Sequence, residues 1–334
     1  MLRVSMLGFA HVHANGYADQ VLRHPEAELT CIWDDDADRA KAASAQFGAP
    51  ACGDLEAVLS RDDVDAVVVN APTSQHFEVI SAALRHKKHV FTEKALTVKT
   101  AESDELVRMV AESGVRFMIS LPSRTRPETL FMKQVLDRGL LGDITLMRAR
   151  IAHSASLDHW FGGGSAWFAD AELAGGGALF DLGCHTTDVM RWFMGAPKSV
   201  VAKVQNLSDA YAIDDNSVAV IEFGGGALGV LDTSWLHRSG PNPYEFYGTK
   251  GYMSLNAAPG SGLMLDSSEL SADGIRGLIK PSELPPALPA PMDQWVAGIL
   301  HGGEMTITVQ DGRNLTQLLE GIYTAAREGR EYRF

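Results

Sequence analysis

Asp181 and His185 stand four residues apart, just after the run Gly175-Gly176-Gly177. A helix opening behind those glycines puts both side chains on one face, where the carboxylate can orient the imidazole and stabilise its charge. With an unperturbed pKa of about 6.5, a histidine so placed can take the proton of an alcohol and return it. The plainer reading is a buried helix-face histidine paired with its aspartate. Lys94 follows the apolar run His89-Val90-Phe91, at the carboxyl end of a strand, which is the edge where open sheets bind ligands. An ammonium there can donate to a substrate hydroxyl and favour negative charge developing on its oxygen. A surface lysine would do neither.

A second group of residues has the makings of a dinucleotide site. Gly8-Phe9-Ala10-His11-Val12-His13 follows the first strand and keeps only the first glycine of G-x-G-x-x-G. Gly8 can make the tight turn, Ala10 is small where backbone would meet a pyrophosphate, and a helix N-terminus behind them would offer N–H groups to phosphate. His13 stands at the third glycine's place, where helix and sheet normally pack closely. Asp34 ends the second strand, where an acid hydrogen-bonds an adenosine ribose hydroxyl and repels a 2′-phosphate, so NAD is favoured over NADP. Asp34, Asp35 and Asp36 also suit a helix cap; Asp36 is the better placed for it, which leaves Asp34 for the ribose, with Asp35 and Arg39 as neighbouring cofactor contacts.

These residues need elements to hold them. Up to Ile119, short apolar runs alternate with Ala-rich, charged runs, the pattern of a doubly wound parallel sheet with crossover helices. The expected strands are Arg3–Leu7, Leu29–Trp33, Ala66–Asn70, His89–Phe91 and Arg116–Ile119, and the expected helices are Ala37–Gln46, His76–Arg85 and Thr100–Glu112. The first domain is expected over residues 1–121 and a second, α+β domain over 122–334, opened by a helix at Glu128–Arg138. Beyond it the alternating runs Ser217–Phe223, Ala227–Trp235, Tyr244–Tyr247 and Tyr252–Leu255 predict a large, open, mainly antiparallel sheet. Pro281–Pro291 carries five prolines and reads as an extended loop before a helix at Met292–Leu300.

Composition narrows the function classes. Of 334 residues, 46% are hydrophobic and 21% charged, as in ordinary globular proteins. The formal charge of -13, without a Lys/Arg-rich run, argues against nucleic acid and anionic lipid as partners. Cys31, Cys52 and Cys184 form no CxxC pair, which fits a reducing, cytoplasmic location. No apolar stretch is long enough to span a membrane, and Met1–Ala10 lacks the layout of a signal peptide. His11, His13, Cys184, His185 and Asp188 are metal-ligand types, but their spacings match no zinc pattern, so no metal is expected. G-x-S-x-G, P-loop and H-E-x-x-H motifs do not occur.

Three further segments resemble, in order and spacing, the glucose-fructose oxidoreductase / inositol dehydrogenase (Gfo/Idh/MocA) family across almost the whole chain. Asn70-Ala71-Pro72-Thr73-Ser74-Gln75-His76 is similar to the family's P-N-x-x-H turn, with Thr73 where Asn is usual. His89-Val90-Phe91-Thr92-Glu93-Lys94 resembles H-V-x-x-E-K-P, with Ala95 replacing the proline that would fix φ. Gly175 to His185 is closely similar to G-G-G-x-x-x-D-x-G-x-H, the most specific of the three. The resemblance implies a Rossmann domain binding NAD through the Gly8–His13 turn, the Asn70–His76 turn, Glu93 and Lys94. It implies a hydride exchanged with a carbinol or ketone of a sugar, sugar derivative or cyclitol, with His185 as base, Asp181 supporting it and Lys94 polarising the substrate. Arg124 and Pro127 resemble an R-x-x-P element; Arg124 suits substrate oxygens or a structural ion pair equally. Trp167 can stack on a sugar ring or pack in the core, and Asp188 can join the polar cluster or support His185. Two alternatives keep the same fold: an NAD-dependent glycosidase working through transient oxidation, and a non-catalytic NAD-sensing regulator. A wide sheet face in the second domain predicts a homodimer or homotetramer.

Overall fold

The computed structural model describes every residue except Arg276. The fold is α/β, with one parallel sheet and one larger, mainly antiparallel sheet. In chain order the elements begin with β1 Leu2–Leu7, α1 Ala14–Arg23, β2 Ala27–Trp33, α2 Ala37–Phe47, β3 Ala51–Cys52, α3 Leu55–Leu59, β4 Ala66–Val69, α4 His76–Arg85, β5 His89–Thr92, α5 Thr100–Ser113 and β6 Phe117–Ile119. They continue with α6 Pro127–Asp137, β7 Ile144–Ala152, α7 Ala171–Ala174, α8 Ala178–Asp181, α9 Gly183–Met194, β8 Pro197–Gln205, β9 Asn216–Phe223, β10 Leu228–Ser234, β11 Tyr244–Gly248, β12 Gly251–Leu255 and β13 Leu263–Ser267. Helices α10 Pro291–His301 and α11 Val309–Glu328 and strand β14 Tyr332–Arg333 complete the chain.

The chain divides into two compact units. The first comprises Met1–Leu121, Phe161–Gly175 and Pro289–Thr316; the second comprises Pro122–Trp160, Gly176–Leu288 and Gln317–Phe334. In the first, six strands run in the order β3-β2-β1-β4-β5-β6, all paired in parallel. This order reverses direction at β1 and β4, which opens a crevice at their carboxyl ends. Strand β4 is apolar without a break, Ala66-Val67-Val68-Val69, and every one of its residues is buried, as a strand covered on both faces requires. Asp36 caps α2 by accepting from the N–H groups of Asp38 and Arg39, as its position predicts. Phe91 and Trp295 meet at 5.7 Å in the core of this unit, joining β5 to α10.

The second unit carries eight strands in the order β13-β12-β11-β7-β10-β9-β8-β14. All pairs are antiparallel except β7 with β10. Along β9 the alternation is plain: Ser217, Ala219, Ile221 and Phe223 face inward, Val218 and Val220 outward. The inner face packs on α9. A Cβ on Gly229 would stand 2.6 Å from Met190 Sδ, and one on Gly183 would stand 2.8 Å from Thr233 Oγ1. Both glycines therefore permit a close helix-on-sheet approach, and that approach fixes where α9 presents His185.

Candidate functional site

In the first unit, the expected cofactor residues converge on the carboxyl ends of β1, β2, β4 and β5. Gly8 adopts φ +94°, and a Cβ there would meet Ala71 N at 2.7 Å, so glycine is required both by dihedral and by space. The His11 N–H donates to Asn70 O at 3.2 Å, tying the turn after β1 to the turn after β4. His13 ends the turn and no side-chain oxygen caps α1, which leaves the helix N-terminus available to an anion. His13 is solvent-facing, so its bulk at the third glycine's place does not intrude between helix and sheet.

Asp34 is buried, and its carboxylate accepts from Phe9 N at 2.6 Å, from Asp36 N at 2.8 Å and from the Arg39 guanidinium. Arg39 also donates to Asp35, and Gln75 Nε2 donates to Asp35 from the other side. Asn70 is fully buried, and its Oδ1 has no hydrogen-bond donor among the described residues. An orphaned acceptor beside Gly8, an anion-ready helix end and a carboxylate at the tip of β2 make a donor and acceptor set that fits a dinucleotide. We expect Asp34→Gly to lower the NAD over NADP preference at least about 10-fold, because it removes the charge that repels a 2′-phosphate and releases Arg39. Affinities for the two dinucleotides measured side by side check this; an unchanged ratio would remove Asp34 from the ribose.

Pro72 precedes a 3-10 turn at Thr73–Gln75, and Thr73 is buried there. His76 then reaches Ala71 O at 3.0 Å through Nε2 and Ala95 O at 2.9 Å through Nδ1. Burial lowers the His76 pKa. The imidazole thus bridges the turn after β4 to the segment after Lys94, which includes the cis peptide Lys94–Ala95. Lys94 itself is only 6% exposed. Its backbone N–H donates to Glu93 Oε2 at 2.9 Å.

Glu93 is the centre of a buried cluster that sequence reasoning did not anticipate. It accepts from the Tyr17 hydroxyl, meets His13 Nδ1 at 3.1 Å and faces His11 Nε2 at 3.7 Å. The Tyr17 hydroxyl also meets Ser120 Oγ at 2.6 Å. Burial works against the Glu93 charge, but His11, the bond and charge of His13, and Lys94 outweigh it and hold the carboxyl well below its usual range. Tyr17 lies on the inner side of α1, a position that reads from sequence as core. His11, His13 and Glu93 are close enough to suggest a metal site. His11 Nδ1 lies 3.2 Å from the His13 backbone N–H, so that nitrogen is turned to the chain, and Nε2 faces Glu93. Trp167 donates its indole N–H to Ala10 O at 2.8 Å and lies 5.9 Å from the His11 ring. It therefore buttresses the turn after β1.

In the second unit, Asp181 closes α8, Leu182 keeps helical dihedrals, and His185 lies in the first turn of α9. The two side chains, both half-buried, thus follow one another at helical spacing. The glycines ahead of them are set by distant residues. Asp214 accepts from Gly177 N at 2.7 Å and Leu179 N at 3.2 Å, and from the Tyr323 hydroxyl at 2.9 Å. A Cβ on Gly176 would collide with the Tyr323 ring, and one on Gly177 with the Asp214 carbonyl. Arg124 makes a bidentate ion pair with Asp188, Nη2 to Oδ1 at 2.6 Å and Nε to Oδ2 at 3.0 Å, and both are buried. Trp192 lies under the guanidinium at 5.4 Å.

The chain is similar to known proteins. Residues 2–121 match the family described as "Oxidoreductase family, NAD-binding Rossmann fold", and residues 129–254 match the "GFO/IDH/MocA C-terminal domain". A dTDP-3,4-didehydro-2,6-dideoxy-alpha-D-glucose 3-reductase of Actinomadura kijaniata is 30% identical over 255 residues, which cover 76% of this chain and 74% of that one. The chain belongs to the Gfo/Idh/MocA oxidoreductase family. Within that family, D-glucoside 3-dehydrogenase of Escherichia coli (strain K12) is 26% identical, with 70% of each chain covered. The crystal structure of GenD2 from gentamicin A biosynthesis in complex with NAD superimposes with a TM-score of 0.81 at 26% identity, covering 100% of this chain and 96% of that one. The first unit is accordingly an NAD-binding Rossmann domain and the protein an oxidoreductase. Among the described residues no helix is long and apolar enough to cross a membrane.

Proposed function

We propose that the protein oxidises or reduces a carbinol of a sugar, sugar derivative or cyclitol, using NAD held by the first unit. The observation that carries this reading is the buried Lys94 at the carboxyl end of β5, with its backbone N–H fixed by Glu93. The names of two relatives, a sugar 3-reductase and a glucoside 3-dehydrogenase, support the substrate class. NAD, when bound, supplies the hydride acceptor. Lys94 donates a hydrogen bond to the substrate hydroxyl and stabilises negative charge developing on its oxygen. His185 takes the hydroxyl proton in oxidation and returns it in reduction, and Asp181, one turn earlier, orients the imidazole. Incubation with NAD and a panel of hexosides, pentoses, cyclitols and anhydrosugars tests the reading through absorbance at the NADH band. A rise with one polyol supports it, and silence across the panel in protein that binds NAD contradicts it.

We further propose that the protein assembles as a homodimer or homotetramer through the outer face of its eight-stranded sheet. Val201, Val218, Val220 and Leu228 are exposed there, and the cross-strand register places Val201 beside Val220 and Val220 beside Val230. An apolar sheet face of this kind usually marks an interface. Sedimentation of the wild type should give two or four chains, and Val220→Asp should shift the equilibrium to the monomer. A monomeric wild type would contradict the assignment.

A further inference from the structure

The segment that carries Asp181 and His185 begins at a helix end with no cap of its own. Gly177 stands at the N-cap of α8, and it has no side chain to accept from the first N–H groups of the helix. Asp214, 37 positions along the chain, supplies the missing acceptors. Its carboxylate accepts from Gly177 N at 2.7 Å and Leu179 N at 3.2 Å, and its backbone carbonyl accepts from Ala178 N at 2.8 Å. One residue between β8 and β9 thus satisfies three successive N–H groups. From there the hydrogen bonds run on to both functional side chains: Asp181 N donates to Gly177 O at 2.9 Å, Leu182 N to Ala178 O at 3.0 Å and His185 N to Leu182 O at 3.3 Å.

The cap is itself anchored at three places in the second unit. On α11, the Tyr323 hydroxyl donates to Asp214 Oδ1 at 2.9 Å, the same oxygen that accepts from Gly177. Burial and the Asp214 charge raise the Tyr323 pKa well above its usual value, so the phenol stays protonated and donates. The Tyr323 ring also lies against Gly176, where a Cβ would collide with it, and stands 6.2 Å from the ring of Phe180 on α8. Next in the chain, Asp215 N donates to Gln205 O at the end of β8 at 3.0 Å, and Asp215 O accepts from Trp235 N, just after β10, at 2.8 Å. The Asp215 carboxylate accepts from Leu207 N and Ser208 N, both at 2.9 Å. Helix α9 has a separate seat, because Gly183 lets it approach Thr233 of β10 closely. Loosening at Gly177 therefore moves Asp181 relative to His185 rather than both together. A misplacement of about 1 Å in such a pair can cost on the order of 10²-fold in rate.

We propose that Asp214 and Tyr323 are positioning residues of the reaction, which together cap α8 across space and set the Asp181 carboxylate against the His185 imidazole. The proposal rests on the reading of Asp181 and His185 as the proton-transfer pair. Neither Asp214 nor Tyr323 needs to touch substrate for this role.

The test is the proton titration of His185, followed by NMR of protein labelled at the histidine rings, with the His185 signal assigned from its loss in His185→Ala. It needs no substrate. The Asp181 charge favours the protonated imidazole, so Asp181→Asn should lower the His185 pKa by about one unit. Tyr323→Phe removes one hydroxyl, keeps the ring against Gly176 and changes no charge; it should lower the His185 pKa by about half a unit, a roughly 3-fold loss of proton affinity. Asp214→Asn and Asp214→Ala lose the same charge, but asparagine keeps one accepting oxygen, so the alanine variant should show the larger shift. Circular dichroism identifies the folded variants, and Tyr323→Phe with Asp214→Asn carries the test if Asp214→Ala does not fold. A role confined to stability predicts a lowered Tm with the His185 titration of folded protein unchanged. That result in Tyr323→Phe, beside a clear shift in Asp181→Asn, would overturn the proposal and leave the Asp181–His185 pair standing. No shift in Asp181→Asn would sink the pairing itself, and the proposal with it.

Discussion

His185→Ala is expected to lower turnover about 10²-fold or more while leaving NAD affinity nearly unchanged, the signature of a lost general base. The structure places His185 in the second unit, on α9, whereas every cofactor residue identified above belongs to the first. The contacts of Gly8, Asp34 and Asn70 described above are all made within the first unit, and loss of the His185 imidazole removes none of them. Lys94→Met should also lower turnover, by removing the charge that stabilises the developing alkoxide. Lys94 is buried beside Glu93, so its replacement also removes one of the charges that keep Glu93 ionised. Steady-state kinetics with equilibrium dialysis of NAD separates these effects. Weakened NAD binding in His185→Ala, with turnover retained, would overturn the assignment.

Arg124→Met is expected to cost about 3–5 kcal/mol of stability, because it leaves the Asp188 carboxylate buried without its partner. Adding Asp188→Leu should recover much of that loss, since a buried pair replaced by apolar groups is often neutral. Thermal denaturation of the two variants beside the wild type measures both terms. The alternative for Arg124 is a substrate contact through its guanidinium. That role predicts a raised KM with stability unchanged, and such a result would contradict the structural role. The bidentate geometry, with both side chains at most 6% exposed, favours stability.

The parallel sheet was legible because β4 and β6 are buried throughout and β1 and β5 nearly so, which makes them read as apolar runs; β1, β2, β4, β5 and β6 lie within one or two residues of the expected ranges. Strand β3 escaped notice because it has only two residues, Ala51 and Cys52. Strand β7 alternates properly, but its outward positions include Arg148 and its inward ones the small Ala149, which weakens the apolar signal of the inner face. Helix α11 carries Gly312 and Gly321, a residue type unfavourable inside a helix. A Cβ on Gly312 would crowd Leu96 and Ile119, and one on Gly321 would strike Phe334, so both glycines are contact positions within the helix.

The motif residues were visible as types at fixed spacing, but what holds them was not. The run Gly175-Gly176-Gly177 reads as the approach to a helix, but nothing local shows that Asp214 and Tyr323, far along the chain, set Gly176 and Gly177. Likewise, nothing local marks Tyr17 as a donor to Glu93 or Arg124 as the partner of Asp188 across 64 positions. Trp167 shows the same limit: its indole N–H is committed to Ala10 O, a partner 157 residues away. Tertiary pairings of this kind leave no period in the sequence, whereas burial of a strand or a helix face does.

In the proposed reaction a carbinol hydrogen leaves as hydride while its hydroxyl proton passes to His185. The most direct measurement uses a substrate deuterated at the reacting carbinol carbon, with NAD, and reads the isotope in the reduced dinucleotide by mass spectrometry. One deuterium should be carried into NADH for each ketone formed, with a slowed rate. Product formed while the deuterium stays in the sugar or is lost to water, with no labelled NADH, would contradict it.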